Sequence, residues 1–218
     1  MKRTERHHLK EDEMVTGLNW FVDFYETWKR EIFIAAGVLV CAAVVFAALF
    51  LVRAHAQSVQ SRALGDVADL SQDLEAKPEN LGKLESLASG GPAARFACLE
   101  LAAYWAGKGD GAKARSCLDR IPAVPKDILF YQGQDLKAQL FVKDKEYDKA
   151  IAIYQQVRTE KPKSYPLDAV LFHLAEAYEL KGQKKEALDL YTTLQTEYAQ
   201  TYFGYEASMK ASRLGLQK

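Results

Sequence analysis

The stretch "LAEAYELKGQKKEALDLY", residues 174–191, has small residues at two positions with a glycine between them. Ala175 and Ala187 are the small residues, and Gly182 separates two segments whose apolar residues recur at helical spacing. Two helices joined by so short a turn run antiparallel, so the alanines should face each other and let the helices approach closely. Tyr178 and Tyr191 lie one turn further along and should fill the wider space beyond the crossing. The stretch therefore predicts a helical hairpin.

The same pattern occurs twice more upstream. One copy has Ala138 and Ala150 at the two small positions, and an earlier copy has Ala102 and Ala114. In such a series each unit can bury its apolar face only against the next unit, so three copies at a near-constant period predict an α-solenoid. The residues that lengthen the period lie in proline-containing loops, where they do not disturb the packed helices.

These hairpins resemble the tetratricopeptide repeat family, whose units of about 34 residues have small residues at the helix crossing, aromatic residues beyond it and glycine at the turn. Residues 171–199 match this pattern closely, whereas the middle copy has Lys137 and Lys145 where leucine and glycine are usual. The resemblance implies an all-α superhelix that binds extended peptides or helices of other proteins. The binding surface would be the concave face, formed by the first helix of each repeat. On this chain the implied surface consists of Phe96, Leu99, Gln132, Asp135, Gln139, Phe172, Glu176 and Glu179.

A long apolar run precedes the repeats. Residues 32–52 carry no charge, and as a helix they would cover roughly the 30 Å of a bilayer's hydrocarbon layer. A buried core helix is the alternative, but soluble helices rarely lack a polar stripe over so many turns. Ala54 and Ala56 have the spacing of a signal-peptidase site, although the run is longer than a usual signal core. A lipid-anchored Cys41 fits less well, so we favour an uncleaved signal anchor.

Aromatic residues lead into this run. Trp20, Phe24 and Trp28 recur at helical spacing and should form one apolar face. Such a helix would lie in the lipid interface as part of an aromatic belt. Two alternatives remain open: the helix packs against a partner helix in the membrane, or it is simply the first turns of the span.

The basic residues predict the orientation of the span. Six lysines and arginines precede it and only two follow it closely, so the amino terminus should be cytoplasmic. We thus expect a single-pass protein of a bacterial inner membrane with a periplasmic carboxy-terminal domain. The predicted segments are a cytoplasmic tail with an interfacial helix (1–31), a transmembrane signal anchor (32–52), juxtamembrane helices (53–92), three repeats (93–202) and a capping helix (203–218).

The capping helix closes the predicted array. Its apolar residues recur through Tyr205, Met209 and Leu216, while Ala207 and Ala211 would allow close packing. At the other end of the array, the helix from residues 57 to 76 could cover the apolar part of the concave face. We therefore leave open whether that face is an open groove or is filled by the chain itself.

The whole layout resembles the YfgM family, ancillary subunits of the SecYEG translocon. The resemblance implies an adaptor that meets translocon subunits, a membrane-bound periplasmic chaperone and translocating polypeptides, and so helps newly translocated proteins. The alternative is an envelope-assembly scaffold that binds cell-wall or outer-membrane machinery through its soluble repeats. In either case the predicted partners are proteins and the lipid bilayer.

Other functional classes find little support in the sequence. The 29 basic and 29 acidic residues balance, which gives no reason to expect nucleic acid. No phosphate loop, nucleophile elbow or Cys-x-x-Cys motif occurs, and none of the four histidines has a second ligand at metal spacing. We therefore expect no catalysis, no cofactor, no metal site and no small-molecule substrate.

Two cysteines lie on the paired helices of the first repeat. Cys98 and Cys117 would face each other across this hairpin, and an oxidising compartment would favour a disulfide. A bridge requires Cα atoms within about 7 Å, and both residues could equally be small core hydrophobes. The sequence leaves the two possibilities open, and Cys41 in the span should stay free.

Overall fold

The computed structural model describes residues 3–215, and the regular secondary structure in this range is helical. In chain order the helices are α1 (Arg3–Gln72), α2 (Glu79–Ala88), α3 (Ala94–Gly107), α4 (Gly111–Asp119), α5 (Ile128–Lys143), α6 (Tyr147–Glu160), α7 (Leu167–Lys181), α8 (Lys184–Glu197) and α9 (Tyr202–Gly215). Consecutive helices from α2 to α9 pack against each other. This arrangement confirms the predicted all-α class with a solenoid of helix hairpins.

The first helix contains the apolar run. The chain divides into two units, residues 1–58 and 59–218. By length and composition, residues Glu26–Gln72 of α1 are apolar and long enough to cross a membrane. Every residue from 37 to 62 is exposed. The expected interfacial helix, span and first juxtamembrane helix are parts of this single continuous helix.

Three hairpins form the body of the second unit. They are α3 with α4, α5 with α6, and α7 with α8. The small residues identified at the helix crossings are all fully buried, with 0% of each side chain exposed: Ala102 and Ala114, Ala138 and Ala150, Ala175 and Ala187. Because no larger residue separates the helices at these points, the backbones approach closely, as the opening stretch predicts.

The turns of the three hairpins share one backbone feature. Gly109, Lys145 and Gly182 occupy equivalent positions, and all three have left-handed backbones with φ of 81°, 61° and 88°. Glycine adopts this conformation freely, whereas a residue with a Cβ atom is strained there. The middle copy therefore keeps the geometry of the turn although it has replaced the usual glycine with lysine.

The buried apolar residues form a large cluster from α5 to α9 and two smaller clusters before it. Tyr154 and Tyr191 are fully buried in the large cluster, with 1% and 0% exposure, while Tyr178 is partly buried at its edge. In the amino-terminal cluster, Val67 of α1 packs with Leu84 of α2 and Leu101 of α3. The end of α1 and α2 thus extend the array before the first repeat.

The last helix packs differently from the sequence prediction. Ala207 and Ala211 are buried, as expected, but Tyr205 and Met209 are exposed by 63% and 47%. Leu216, the third residue of the predicted apolar face, lies outside the described residues. Gly204 explains the orientation, because a Cβ atom there would lie 1.9 Å from the carbonyl oxygen of Tyr198. Ala207, Ala211 and Leu214 of α9 face the array, whereas Tyr205 and Met209 face outward.

We expect the substitution Ala187→Leu to lower the free energy of unfolding by about 1–3 kcal/mol, because the larger side chain overpacks the crossing of α7 and α8. Ala199→Leu is the matched control, since Ala199 is exposed just after α8. Chemical denaturation of both variants measures the difference. Equal stabilities would contradict the assigned crossing point.

We also expect Lys145→Gly to raise the free energy of unfolding by roughly 0.5–1 kcal/mol, because relief of the left-handed strain exceeds the added chain entropy of glycine. Gly182→Ala makes the opposite change at the equivalent turn and should lower stability by about 1 kcal/mol. Thermal denaturation of the two variants tests both signs. A destabilised Lys145→Gly variant would show that the lysine side chain supports the turn in another way.

Candidate protein-interaction surface

The candidate surface follows the first helices of the hairpins, α3, α5 and α7, and continues onto α9. We call it the first-helix face. It contains the eight residues that the sequence assigns to the concave side and their counterparts one repeat later on α9: Glu206, Lys210 and Arg213. The structure places these residues in three different environments.

At the amino-terminal end the face is closed. Phe96 is half-buried and packs against the cluster that contains Val67 of α1 and Leu84 of α2. Leu99 is half-buried against another cluster, which includes Ala102 and Leu118. For Phe96 the structure thus supports the second of the two possibilities left open above, a surface covered by the chain's own helix.

Phe172 is also covered, but by the other end of the array. Its side chain is 7% exposed, and its ring lies 5.2 Å from that of Phe203 on α9 and 5.8 Å from that of Tyr191 on α8. This corrects the expectation that Phe172 lines an open surface. Helical periodicity indicates its position on α7 but does not show that Phe203 packs over it.

The open part of the face begins on α5. Gln132 and Gln139 are exposed there, and the amide of Gln139 donates to Asp135 at 3.1 Å. Asp135 also accepts hydrogen bonds from the hydroxyls of Tyr154, at 3.0 Å, and Tyr165, at 2.8 Å. Burial, followed by the effect of the Asp135 carboxylate, raises the pKa of both tyrosines. Asp135 is therefore a fixed polar anchor between helices, whereas the two glutamines remain accessible.

The acidic residues of α7 are paired with basic residues of α9. Lys210 donates to Glu176 at 3.1 Å and lies 3.4 Å from Glu179, and Arg213 donates to Glu179 at 2.8 Å. Tyr191 donates a further hydrogen bond to Glu179 at 2.9 Å. Residues of the chain itself therefore neutralise the two glutamates at this end of the surface.

These contacts also set the protonation of both glutamates. Burial alone would raise their pKa values. For Glu176 the hydrogen bonds from His173 and Lys210 outweigh burial, and for Glu179 those from Tyr191 and Arg213, together with the charge of Lys210, do so. The pKa of each carboxyl group is lowered, so both stay ionised within their ion pairs.

The sequence analysis missed Lys210 and Arg213, although a signal was present. Each lies one repeat period after its partner, a separation of 34 residues from Glu176 and from Glu179. Other ion pairs follow nearly the same spacing: Arg95 with Asp127, Lys126 with Glu160, and Lys181 with Asp148. Charge complementarity between equivalent positions of successive repeats would have identified them.

His173 lies beside this network. Its ring is stacked 6.0 Å from Tyr154 and contacts Phe172 and Phe203, and its Nδ1 lies 3.5 Å from Glu176. Burial opposes the charged imidazolium, but the hydrogen bond to Glu176 and the carboxylates of Asp135 and Glu176 outweigh it. The pKa of His173 is therefore raised above its ordinary value of 6.5.

The aromatic residues before the apolar run are exposed on α1. Trp20, Phe24 and Trp28 have exposures of 65%, 44% and 52%, and the rings of Trp20 and Phe24 stack at 5.6 Å. They recur along one side of the helix, which is the arrangement that a lipid-facing or partner-facing aromatic stripe requires.

The cysteines of the first repeat are free thiols. Cys98 is buried and its Sγ lies 3.7 Å from the carbonyl oxygen of Ala88, while Cys117 is half-buried. Burial raises the pKa of both thiols, so neither is activated as a thiolate. Here the two residues act as small core side chains, and Cys41 is free and exposed on α1. Within the described residues, no cluster of three metal-ligating side chains occurs.

Comparison with known families agrees with this geometry. The sequence profile of the tetratricopeptide repeat matches residues 127–164 and 169–201, which cover the second hairpin and nearly all of the third. The chain thus contains tetratricopeptide repeats in these two segments. The first hairpin lies outside the matched segments. No curated protein sequence matches the chain.

Solved structures extend the likeness beyond the matched repeats. The crystal structure of nearly identical TPR-like repeats, from a Podosopora anserina protein classed with kinesin light chains, has a TM-score of 0.58 and 18% identity to this chain. The alignment covers 71% of this chain and 86% of that one. A point variant of the same repeats has a TM-score of 0.57 and 17% identity over 71% and 85% of the two chains. At this identity the likeness shows the fold alone.

The raised pKa of His173 predicts a pH dependence of stability. A group whose pKa is higher in the folded than in the unfolded protein stabilises the fold fully at pH values below its unfolded-state pKa. This stabilisation is lost as the pH rises through the folded-state pKa. As the pH rises above the ordinary histidine pKa of about 6.5, the unmodified chain should therefore lose unfolding free energy that His173→Gln does not lose. Denaturant titrations at a series of pH values, with exposed His55→Gln as the control, measure the effect. Parallel curves for His173→Gln and the unmodified chain would contradict it.

Proposed function

We propose that this protein is a membrane-anchored adaptor that binds other proteins through the open part of its first-helix face. Tetratricopeptide repeats indicate a role in protein–protein interaction, and their fold is typically a non-catalytic scaffold. The observation that carries the proposal is that one chain combines such repeats with a helix apolar and long enough to cross a membrane. The anchor restricts the partners to proteins at or near the bilayer.

The proposed topology rests on the basic residues around the span. Lys29 and Arg30 stand directly before it and further lysines and arginines precede them, whereas Arg53 and Arg62 are the basic residues close behind it. Positive residues favour the cytoplasmic side. The repeats would then lie in the periplasm of a bacterium, with the amino terminus in the cytoplasm of an inner-membrane protein.

The chemistry of the surface favours an extended polypeptide as ligand. Gln132 and Gln139 can each donate to and accept from a peptide backbone. The neighbouring carboxylates are already bound to lysine, arginine or tyrosine, so they do not select a strongly basic partner. A neutral polar face of this kind suits transient contact with many sequences. Translocating polypeptides, translocon subunits and a membrane-bound periplasmic chaperone are the partners we propose.

Site-specific photocrosslinking in intact cells tests the binding surface. A photoreactive residue at Gln139 should capture these partners, because Gln139 is exposed on the first-helix face. The matched control is Lys185, which is exposed on the second helix of the third hairpin. Equal capture from both positions, or none from Gln139, would overturn the proposed surface.

Replacement of the anchor tests the adaptor role. We expect a chain in which a cleavable signal peptide replaces residues 1–52 to reach the periplasm but to lose its translocon and chaperone partners, because the anchor supplies the local concentration. An envelope-assembly scaffold, the alternative function, would keep its partners without the anchor. Copurification from both strains, followed by mass spectrometry, separates the two functions.

A further inference from the structure

The last helix has two faces of opposite character. Ala207, Ala211 and Leu214 are buried against the array, whereas Tyr202, Tyr205 and Met209 are exposed by 70%, 63% and 47%. The three exposed residues recur at spacings of three and four, so they form one apolar stripe along α9. The outer helix of a solenoid normally presents a polar surface. A helix that only caps the array would not need this exposed apolar stripe.

The position of the stripe within the repeat shows what it lacks. One period earlier, Leu171 and Ala175 correspond to Tyr205 and Met209, and both are buried in the hairpin of α7 and α8. The stripe on α9 therefore corresponds to the face of α7 that packs against α8. In the described part of the chain, α9 has no such second helix.

We propose that this face binds the same face of a second copy of the chain, with the two α9 helices antiparallel. Side-chain size supports this occupant. The first half of the stripe carries Tyr202 and Tyr205, and the second half of the exposed side carries Ser212 and Gly215. In an antiparallel pair the tyrosines of one helix lie over the small residues of the other. A parallel pair would place tyrosine against tyrosine.

Charge gives the same orientation. Glu206 and Arg213 lie seven residues apart on one edge of the stripe, and 59% of the Arg213 side chain is exposed beside its contact with Glu179. In an antiparallel pair, each edge of the stripe on one copy faces the same edge on the other copy. Glu206 of each copy therefore faces Arg213 of the other. The twofold axis makes this contact twice. In a parallel pair this edge would face the opposite edge of the partner's stripe, so Glu206 would not meet Arg213.

Met209 lies at the centre of the proposed contact. Met209 is equivalent to Ala175, whose small side chain lets α8 approach α7 closely. A helix that packs on Met209 must therefore lie further from α9 than α8 lies from α7. A flexible methionine can meet its own counterpart at such a crossing. A single pair of helices buries less than the roughly 1,200 Å² of stable interfaces, so we expect a dimer that depends on concentration.

Light scattering on the full-length chain in detergent, over about 1–100 µM, tests the proposal. The unmodified chain should shift from monomer to dimer in this range. Tyr205→Asp should weaken the dissociation constant at least about tenfold, because it buries an unpaired charge at the contact. Leu180→Asp is the control, since Leu180 is similarly exposed, by 56%, on α7. A monomeric unmodified chain, or equal dimerisation of Tyr205→Asp, overturns the proposal.

Exchange of the edge charges provides an independent test of the same contact. Glu206→Arg and Arg213→Glu each place like charges across the axis, so each variant alone should be monomeric. A mixture of the two variants restores opposite charges across the contact and should form a heterodimer. Circular dichroism verifies that each variant is folded. Failure of a folded mixture to associate, while the unmodified chain dimerises, overturns the proposed pairing.

Discussion

The architecture depends on the close contact of the two helices at each hairpin crossing. Ala175 and Ala187 are completely buried at the best-formed crossing, and alanines occupy the equivalent positions of the other two hairpins. Small residues bring the helices together, but the thin hairpin that results cannot bury all its apolar residues by itself. Tyr154 and Tyr191 are therefore buried between successive hairpins, and the array follows from this packing.

The stacking of hairpins also determines the first-helix face. Residues at equivalent positions of successive repeats become neighbours, which is why Glu176 meets Lys210 and Glu179 meets Arg213 across one repeat period. Apart from Arg213, the charged residues of these pairs are only partly exposed, and the pairs neutralise the surface that a partner meets. That surface is polar and locally neutral, and its most accessible functional groups are amides.

The sequence predicts the hairpins well because small residues, glycine turns and helical periodicity act locally. It predicts exposure less well, because periodicity identifies the residues that share a face but not the element that covers it. Phe172 is covered by Phe203, and Phe96 packs in a cluster with the end of α1. Met209 is exposed because α9 has no second helix within the described residues. These outcomes depend on how the ends of the array are closed.

The functional account requires the repeats to lie across the membrane from the amino terminus. Fusion of alkaline phosphatase or of green fluorescent protein to the carboxy terminus tests this most directly, because the phosphatase needs disulfides that form only in an oxidising compartment. We expect the alkaline phosphatase fusion to be active and the green fluorescent protein fusion to be non-fluorescent. If the phosphatase fusion is inactive and the green fluorescent protein fusion is fluorescent, the repeats lie in the cytoplasm, which would contradict the proposed adaptor.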